Sequence, residues 1–293
     1  MNFFQKLFGG QEETPEEQKN ETEAHNFDVL KYDGVAALKT GQFDYAVTCF
    51  QHALDIHDDL EIHDHLSEAF VRLNKLPEAA AELKKLSEAQ PDNLAIWLHL
   101  ANICFMMEDY AEMDQACEKA LLVDKDSAEA TYLQAEAKKG LGDMISTIAL
   151  LTKTITLDEK FGAAYLKRGQ VLLQMGDVNG ADADASWLLE HTQDDEDSLL
   201  LKARIERAKK QNQEAIAYYG KVIDANPFAV DAYREGGEVY MEQGDSTLAA
   251  EDAKKVIELD PKQTADISGE FSADGIEQRT KDAYKNTLNP FGL

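Results

Sequence analysis

A small residue recurs at one fixed interval along most of this chain of 293 residues. The first interval is 33 residues and each of the other five is 34. The positions are Gly34, Ser67, Ala101, Ala135, Gly169, Ala203 and Gly237. Because Gly, Ala and Ser together supply about one residue in five, such a run arises by chance roughly once in 10⁵ trials in a given register. A period in this range is typical of stacked helical units, not of a single globular core.

The residues between these positions keep the same interval. In the last period, for example, Ala249, Ala253 and Val256 follow Gly237 by 12, 16 and 19 residues. Spacings of three and four place such residues on one face of a helix. Glycines separate the two apolar runs of several periods, at Gly41, Gly142, Gly176 and Gly244. Each period therefore predicts a helix–turn–helix unit, in which the small residue lets the two helices approach closely.

This pattern resembles the tetratricopeptide repeat, which has a large residue, Leu-Gly and Tyr, and later Ala, Phe, Ala and Pro, at fixed offsets. The first half of that motif is carried by Tyr165-Gly169-Leu172 and by Tyr233-Gly237-Tyr240. The second half is carried by Ala215-Tyr219-Val222-Pro227 and by Ala249-Ala253-Val256-Pro261. The resemblance implies an all-α, right-handed superhelical solenoid of about seven repeats, followed by a C-terminal capping helix.

The register predicts three regions. Residues 1–26 comprise an apolar octapeptide and an acidic linker, of which residues 11–24 are expected to be disordered. The seven repeats fall at about 27–59, 60–93, 94–127, 128–161, 162–195, 196–229 and 230–262. Residues 263–293 form a linker and a capping helix at about 274–288, since the outer apolar face of a last repeat needs a cover.

The N-terminal octapeptide places four apolar side chains on one short face, namely Phe3, Phe4, Leu7 and Phe8. Four interpretations stay open. The octapeptide is disordered, or it anchors a partner protein or a second copy of this chain, or it folds back into the protein's own groove. A lipid-surface role is the fourth, with Lys6 giving little electrostatic attraction.

The charge balance limits the possible partners. The chain carries 56 acidic and 29 basic residues, for a net charge of −27. Phosphate contacts with nucleic acid would be repulsive, whereas a basic protein partner would be attracted. No segment is long and apolar enough to span a bilayer. The three cysteines are expected to be buried free thiols, which suits a reducing, cytoplasmic compartment.

The sequence contains no motif of an enzyme or cofactor site. It has no phosphate-binding glycine loop, no G-x-S-x-G, no H-E-x-x-H and no C-x-x-C. We therefore expect a protein without catalytic activity, cofactor or metal.

The resemblance also predicts where a partner would bind. In tetratricopeptide proteins the first helix of each repeat lines a concave groove, at positions 2, 5, 6, 9, 12 and 13 when the small residue is position 8. The groove residues predicted here are Leu98, His99, Asn102, Phe105, Met106, Tyr132, Leu133, Leu166, Lys167, Gln170, Arg204, Arg207 and Arg234. Leu200 and Leu201 occupy equivalent positions.

Two interpretations of this set are open. In the first, an apolar stretch continues into a basic one and binds a peptide with an apolar anchor and a carboxylate. In the second, Phe105, Met106 and Leu133 pack between neighbouring first helices, and the arginines pair with nearby glutamates.

The function expected from these observations is that of a non-catalytic scaffold or adaptor, which binds a peptide segment of a partner in the groove. The alternative is a chaperone-like holder of basic or aggregation-prone clients. The acidic surface is the only support for this alternative.

One cluster resembles a metal site, because six residues that could be ligands lie close together in the sequence: His57, Asp58, Asp59, His63, Asp64 and His65. The register places His63 at a packing position and His65 on another face, so the side chains should not converge. We predict that calorimetric titration with zinc gives no binding heat at micromolar concentrations. A saturable heat at that concentration would contradict the prediction.

Overall fold

The computed structural model describes residues 15–192 and 195–260. These residues form fourteen α-helices and no β-strand. Taken in consecutive pairs, the helices are Pro15–Lys39 and Phe43–Ile56, Leu60–Arg72 and Leu76–Ala89, Leu94–Met106 and Tyr110–Val123, Ala128–Gly140 and Met144–Leu157, Gly162–Gln174 and Val178–His191, Glu196–Ala208 and Asn212–Ala225, Val230–Gln243 and Ser246–Leu259. The pairs are repeats one to seven, and they confirm the all-α helical-repeat fold.

The chain divides into two compact units, Met1–Glu159 and Lys160–Leu293. The first unit contains repeats one to four and the second contains repeats five to seven. Within each unit, every described helix contacts the next helix along the chain. Each unit is therefore built as a stack of helical hairpins, in which a repeat is stabilised mainly by its neighbours.

The small residues lie where the two helices of a repeat are closest. All seven are buried. A Cβ atom added to Gly34 would lie 2.5 Å from Cε1 of Phe50, whose side chain is fully buried on the second helix of repeat one. A Cβ atom on Gly237 would lie 3.2 Å from Cβ of Asp252. The recurring small residue therefore sets how closely the helices pack.

The turn inside each repeat has one fixed backbone conformation. The residue at position 15 has a positive φ in all seven repeats: Gly41, Asn74, Glu108, Gly142, Gly176, Lys210 and Gly244. Four of these are the glycines that the sequence analysis placed between the two helices of a repeat. Asn74, Glu108 and Lys210 adopt it with φ between 56° and 61° although they are not glycine. All three are exposed, and the N–H of the next residue bonds back to a carbonyl of the first helix at 2.8–2.9 Å, which closes the turn.

Acidic residues begin many of the helices. The residue after the turn is aspartate in repeats three, four, five and seven: Asp109, Asp143, Asp177 and Asp245. In each case the carboxylate accepts a hydrogen bond from the backbone N–H three residues later, at 3.0–3.1 Å. Such caps satisfy free N–H groups at the helix start. Part of the negative charge therefore has a local structural role.

One prediction about the N-terminal region is wrong. The sequence predicts disorder over residues 11–24, but residues 15–24 belong to the first helix, Pro15–Lys39, and residues 11–14 lie outside the described residues. Glu, Gln, Lys and Ala form helices readily, and residues 27–39 already provide a packed helix that they can extend. Proline suits a helix start because its missing N–H would be unpaired there anyway. Low hydrophobicity indicated exposure correctly, but not the absence of helix.

Two other predicted segments lie outside the described residues. They are the apolar octapeptide with Phe3, Phe4, Leu7 and Phe8, and the capping helix at about 274–288.

The role of the small residues predicts opposite effects of one substitution at two glycines. Gly34→Ala should lower the free energy of unfolding, because overpacking against Phe50 costs about 1–3 kcal/mol and the gain in helix propensity is about 1 kcal/mol. Gly220→Ala should raise it by about 0.5–1 kcal/mol, since an added Cβ meets no atom within 4 Å. Urea unfolding followed by circular dichroism measures both. A stabilised Gly34→Ala variant would show that close approach is not the constraint.

Candidate functional site

The first helix of repeat three presents four of the predicted groove residues to solvent. These residues are His99, Asn102, Phe105 and Met106, which we call the repeat-three face. Phe105 is 43% exposed and Met106 is 53% exposed. The Phe105 ring lies edge-on to Tyr110 at 6.4 Å, and the Asn102 amide donates to the carbonyl of Leu98 at 2.9 Å. An aromatic and a flexible sulfur-containing side chain are therefore available at one place in the first unit.

The leucines of the predicted set are buried instead. Leu98 and Leu133 are only 9% and 8% exposed, and Leu200 and Leu201 are equally inaccessible. First helices of successive repeats contact each other, those of repeats three and four in the first unit and those of repeats five and six in the second. This corrects the expectation that these leucines contribute to an exposed patch. The burial of Leu133 is consistent with the packing interpretation, whereas Phe105 and Met106 are exposed.

The remaining uncharged positions and Lys167 are intermediate in exposure. Tyr132 is half-buried on the first helix of repeat four. The pKa of its hydroxyl is raised, mainly by burial and to a smaller extent by the negative charge of the nearby Glu136. Leu166, Lys167 and Gln170 are half-buried on the first helix of repeat five, in the second unit. Contact of these residues with a partner stays a prediction.

The three predicted arginines are bound to carboxylates on the first helix of repeat seven. Arg204 Nη2 lies 2.7 Å from Glu235 Oε1, and Arg207 Nη2 lies 2.6 Å from Glu242 Oε1. Arg234 Nη2 lies 2.6 Å from Asp231 Oδ1. With Glu238 beside Arg207 at 2.7 Å, three cations face four anions. The expected basic stretch is therefore neutralised, and the second interpretation of the arginines matches the geometry.

Glu235 is the centre of this network. It is buried, it receives two hydrogen bonds from Arg204 Nε and Nη2, and Tyr219 donates its hydroxyl hydrogen at 3.0 Å. The hydrogen bond to Glu235 raises the pKa of Arg204 above its ordinary value. A buried carboxylate with these three bonds connects repeats six and seven, because Arg204 and Tyr219 belong to one and Glu235 to the other.

A second arginine pair, inside repeat five, was not identified from the sequence. Arg168 donates from Nε to Asp184 Oδ2 at 2.9 Å and from Nη2 to Asp184 Oδ1 at 2.6 Å. The two residues occupy positions 7 and 23 of the repeat, which face each other across the hairpin. An arginine and an aspartate sixteen residues apart are the signal that could have found the pair.

The three cysteines are buried free thiols, as predicted, and His63 lies between two carboxylates. Cys49, Cys104 and Cys117 are buried and unbridged, and burial raises the pKa of Cys104 and of Cys117 to about 12. His63 is buried, with Nδ1 2.5 Å from Glu82 Oε2 and Nε2 2.8 Å from Asp58 Oδ1. Over the ranges that the structure describes, no group of three or more His, Cys, Asp or Glu side chains is arranged to hold a metal ion. No helix within those ranges is long and apolar enough to cross a membrane.

Comparison with known proteins identifies the family. The family model described as tetratricopeptide repeat matches residues 66–120, 166–227 and 200–264. These matches cover more than half of the chain. The chain belongs to the tetratricopeptide repeat family. Members of this family are typically non-catalytic scaffolds for protein–protein interaction.

Individual relatives are distant. The chain is 22% identical over 223 residues to the protein CTR9 homolog of Arabidopsis thaliana, which covers 69% of this chain and 20% of that protein. The chain therefore spans about a fifth of the length of that relative.

Two solved structures are similar in fold. A tetratricopeptide repeat protein from Parabacteroides merdae has a TM-score of 0.67 at 17% identity, over 82% of this chain and 95% of that chain. YrrB, described as a TPR protein with an unusual peptide-binding site, has a TM-score of 0.51 at 18% identity, over 61% of this chain and 93% of that chain.

The Glu235 network predicts a large stability effect at Arg204. Arg204→Met leaves a buried carboxylate without its bidentate partner and should lower the free energy of unfolding by about 2 kcal/mol, since Arg204 keeps some solvent screening. Adding Glu235→Gln should recover part of the loss, because it removes the buried charge that has lost its bidentate partner.

The matched control is Arg72→Met. Arg72 is exposed and lies 4.0 Å from its partner Glu68, so the change should stay within about 0.5 kcal/mol. Urea unfolding measures all three variants. Equal effects at Arg204 and Arg72 would argue against a structural role for the network.

Proposed function

We propose that this protein is a non-catalytic scaffold that binds a polypeptide segment of a partner on the repeat-three face. The observation that carries the proposal is the exposure of Phe105 and Met106 beside the ring of Tyr110. Family membership supports an interaction function in general, and the peptide-binding site in the description of YrrB is consistent with it.

The composition of the helix Leu94–Met106 explains why its exposure is informative. Its sequence, LAIWLHLANICFM, is apolar on almost every side. Helices of this kind are normally buried all round. Ile96, Leu100 and Cys104 are indeed in the core, but about half of the surface of Phe105 and of Met106 is exposed. Aromatic and methionine side chains are enriched where partners bind, since they supply contact area that adapts to a ligand.

The charges nearby indicate the chemistry of the partner segment. In repeat two, Glu61, Asp64 and Glu68 occupy first-helix face positions and are exposed. Lys31 is already engaged there, at 3.0 Å from Asp59 and 2.6 Å from Glu61. An apolar anchor flanked by basic residues would therefore suit this surface better than the carboxylate-bearing peptide that the arginines suggested.

A chaperone-like holder of varied basic clients would use the same acidic surface without a defined anchor. The two functions differ in stoichiometry. A scaffold copurifies from its native host with a defined partner in a fixed ratio, whereas a holder copurifies with many proteins in small amounts. Affinity purification with quantitative mass spectrometry separates them.

The repeat-three face predicts a selective loss of binding. Phe105→Ala with Met106→Ala should weaken the affinity for the copurified partner by at least about tenfold, the usual effect of removing central apolar anchors. The matched control is Leu122→Ala, which removes an 80% exposed apolar side chain from the second helix of the same repeat. It should leave the affinity unchanged.

Calorimetry with the identified partner measures both variants, and circular dichroism verifies that each is folded. Equal affinity of the double variant and the unmodified chain would reject the repeat-three face. Equal weakening by Leu122→Ala would show that the second-helix surface contributes instead.

A further inference from the structure

Repeats five and seven differ at one pair of equivalent positions. In repeat five, position 7 is Arg168 and position 23 is Asp184, and the two form the bidentate pair described above. In repeat seven, position 23 is again an aspartate, Asp252, but position 7 is Gly236. A Cβ atom built on Gly236 would lie 3.4 Å from Asp252 Oδ2, so the two positions face each other as in repeat five.

The Asp252 carboxylate lacks the partner that Asp184 has. Within residues 195–260, no side chain donates a hydrogen bond to it or forms an ion pair with it. Burial, and secondarily the neighbouring charge of Glu251, raises the pKa of Asp252 to about 6. Repeat seven therefore keeps the aspartate of the repeat-five pair but has no arginine at position 7 to balance its charge.

A cavity of about 60 Å³ lies next to this carboxylate. By the same measure, one water molecule needs about 10–15 Å³. Repeat six contributes Tyr219, Gly220 and Ile223 to the lining, and repeat seven contributes Gly236, Tyr240 and Asp252. Because two of the lining residues are glycines, no side chain of residues 195–260 fills the space between the tyrosines and the aspartate.

The arrangement fits a guanidinium group better than an ammonium group. A guanidinium is planar, donates to both oxygens of a carboxylate, and stacks on aromatic rings. Arg168 shows the equivalent contacts in repeat five, since its Cζ lies 5.6 Å from the centre of the Tyr165 ring while its nitrogens bind Asp184. In repeat seven, Tyr219 and Tyr240 supply aromatic surface beside Asp252.

We propose that the Asp252 cavity is a binding site for the guanidinium group of an arginine side chain that comes from outside the described residues. Two sources share this chemistry. One is Arg279 of this chain, which follows Ile276 by three residues and precedes Ala283 by four, and so shares the face of the capping helix predicted from the sequence. The other is an arginine of a partner protein. The site lies wholly in the second unit and is independent of the repeat-three face.

The first experiment introduces an arginine at position 7 of repeat seven, so that its guanidinium can reach Asp252. Gly236→Arg should raise the Tm by roughly 2–4 °C relative to Gly236→Ala, which has the same gain in helix propensity but no guanidinium. The carboxyl pKa of Asp252, followed by carbon-13 NMR, should fall, since an adjacent cation favours the ionised form. In the presence of Asp252→Asn, the extra gain of Gly236→Arg over Gly236→Ala should disappear. An arginine that gives no gain, or the same gain without Asp252, would overturn the proposal.

The second experiment identifies the source and does not depend on whether Gly236→Arg folds. If Arg279 occupies the cavity, Arg279→Ala in the full chain should raise the pKa of Asp252. If the arginine comes from a partner, Arg279→Ala should have no effect, and N-acetyl-arginine amide should lower the pKa and shift the ring signals of Tyr240. N-acetyl-lysine amide is the matched control and should act at least about tenfold more weakly. If neither Arg279→Ala nor the arginine probe changes the titration of Asp252, the proposal is wrong.

Discussion

Close contact between the two helices of each hairpin is the constraint on which the rest of this structure depends. A Cβ atom is already too large at Gly34, where it would enter the ring of Phe50. Because every repeat keeps a small residue at this position, the two helices of each hairpin can pack closely, and within each unit one hairpin can stack on the next. The positive-φ residue at position 15 completes the unit by reversing the chain within a few residues. Stability is thereby distributed over many similar interfaces.

The large negative charge is divided among different physical roles. Asp109 and its counterparts cap helices, Glu235 binds Arg204 and Tyr219 in a buried network, and Asp184 is held by Arg168. These carboxylates are satisfied within the fold. Exposed acids such as Asp64, on the first helix of repeat two, are the ones that can attract a basic partner. Net charge alone therefore overstates how much of the surface is available for recognition.

The two candidate surfaces lie in different units and have different chemistry. In the first unit, Phe105 and Met106 are exposed on an otherwise apolar helix, which suits an apolar anchor. In the second unit, Asp252 borders a cavity where an equivalent repeat has an arginine. The second surface rests on one difference between two repeats, since Gly236 of repeat seven stands where repeat five has Arg168, which neutralises Asp184. In a protein built from similar units, such irregular positions are where specific recognition can develop.

The sequence by itself determined the helical-repeat fold, the family, the spacing of the hairpins and the burial of the small residues, because these depend on periodicity and side-chain size within one hairpin. It did not determine that the first helix would begin at Pro15, since helix extension from a packed segment outweighs low hydrophobicity. Nor did it show which face residues are exposed. Leu98 and Leu133 are buried, and Arg204 is paired with a residue 31 positions away. Only the tertiary structure decided these points, because contacts between repeats depend on how each hairpin rests on the next.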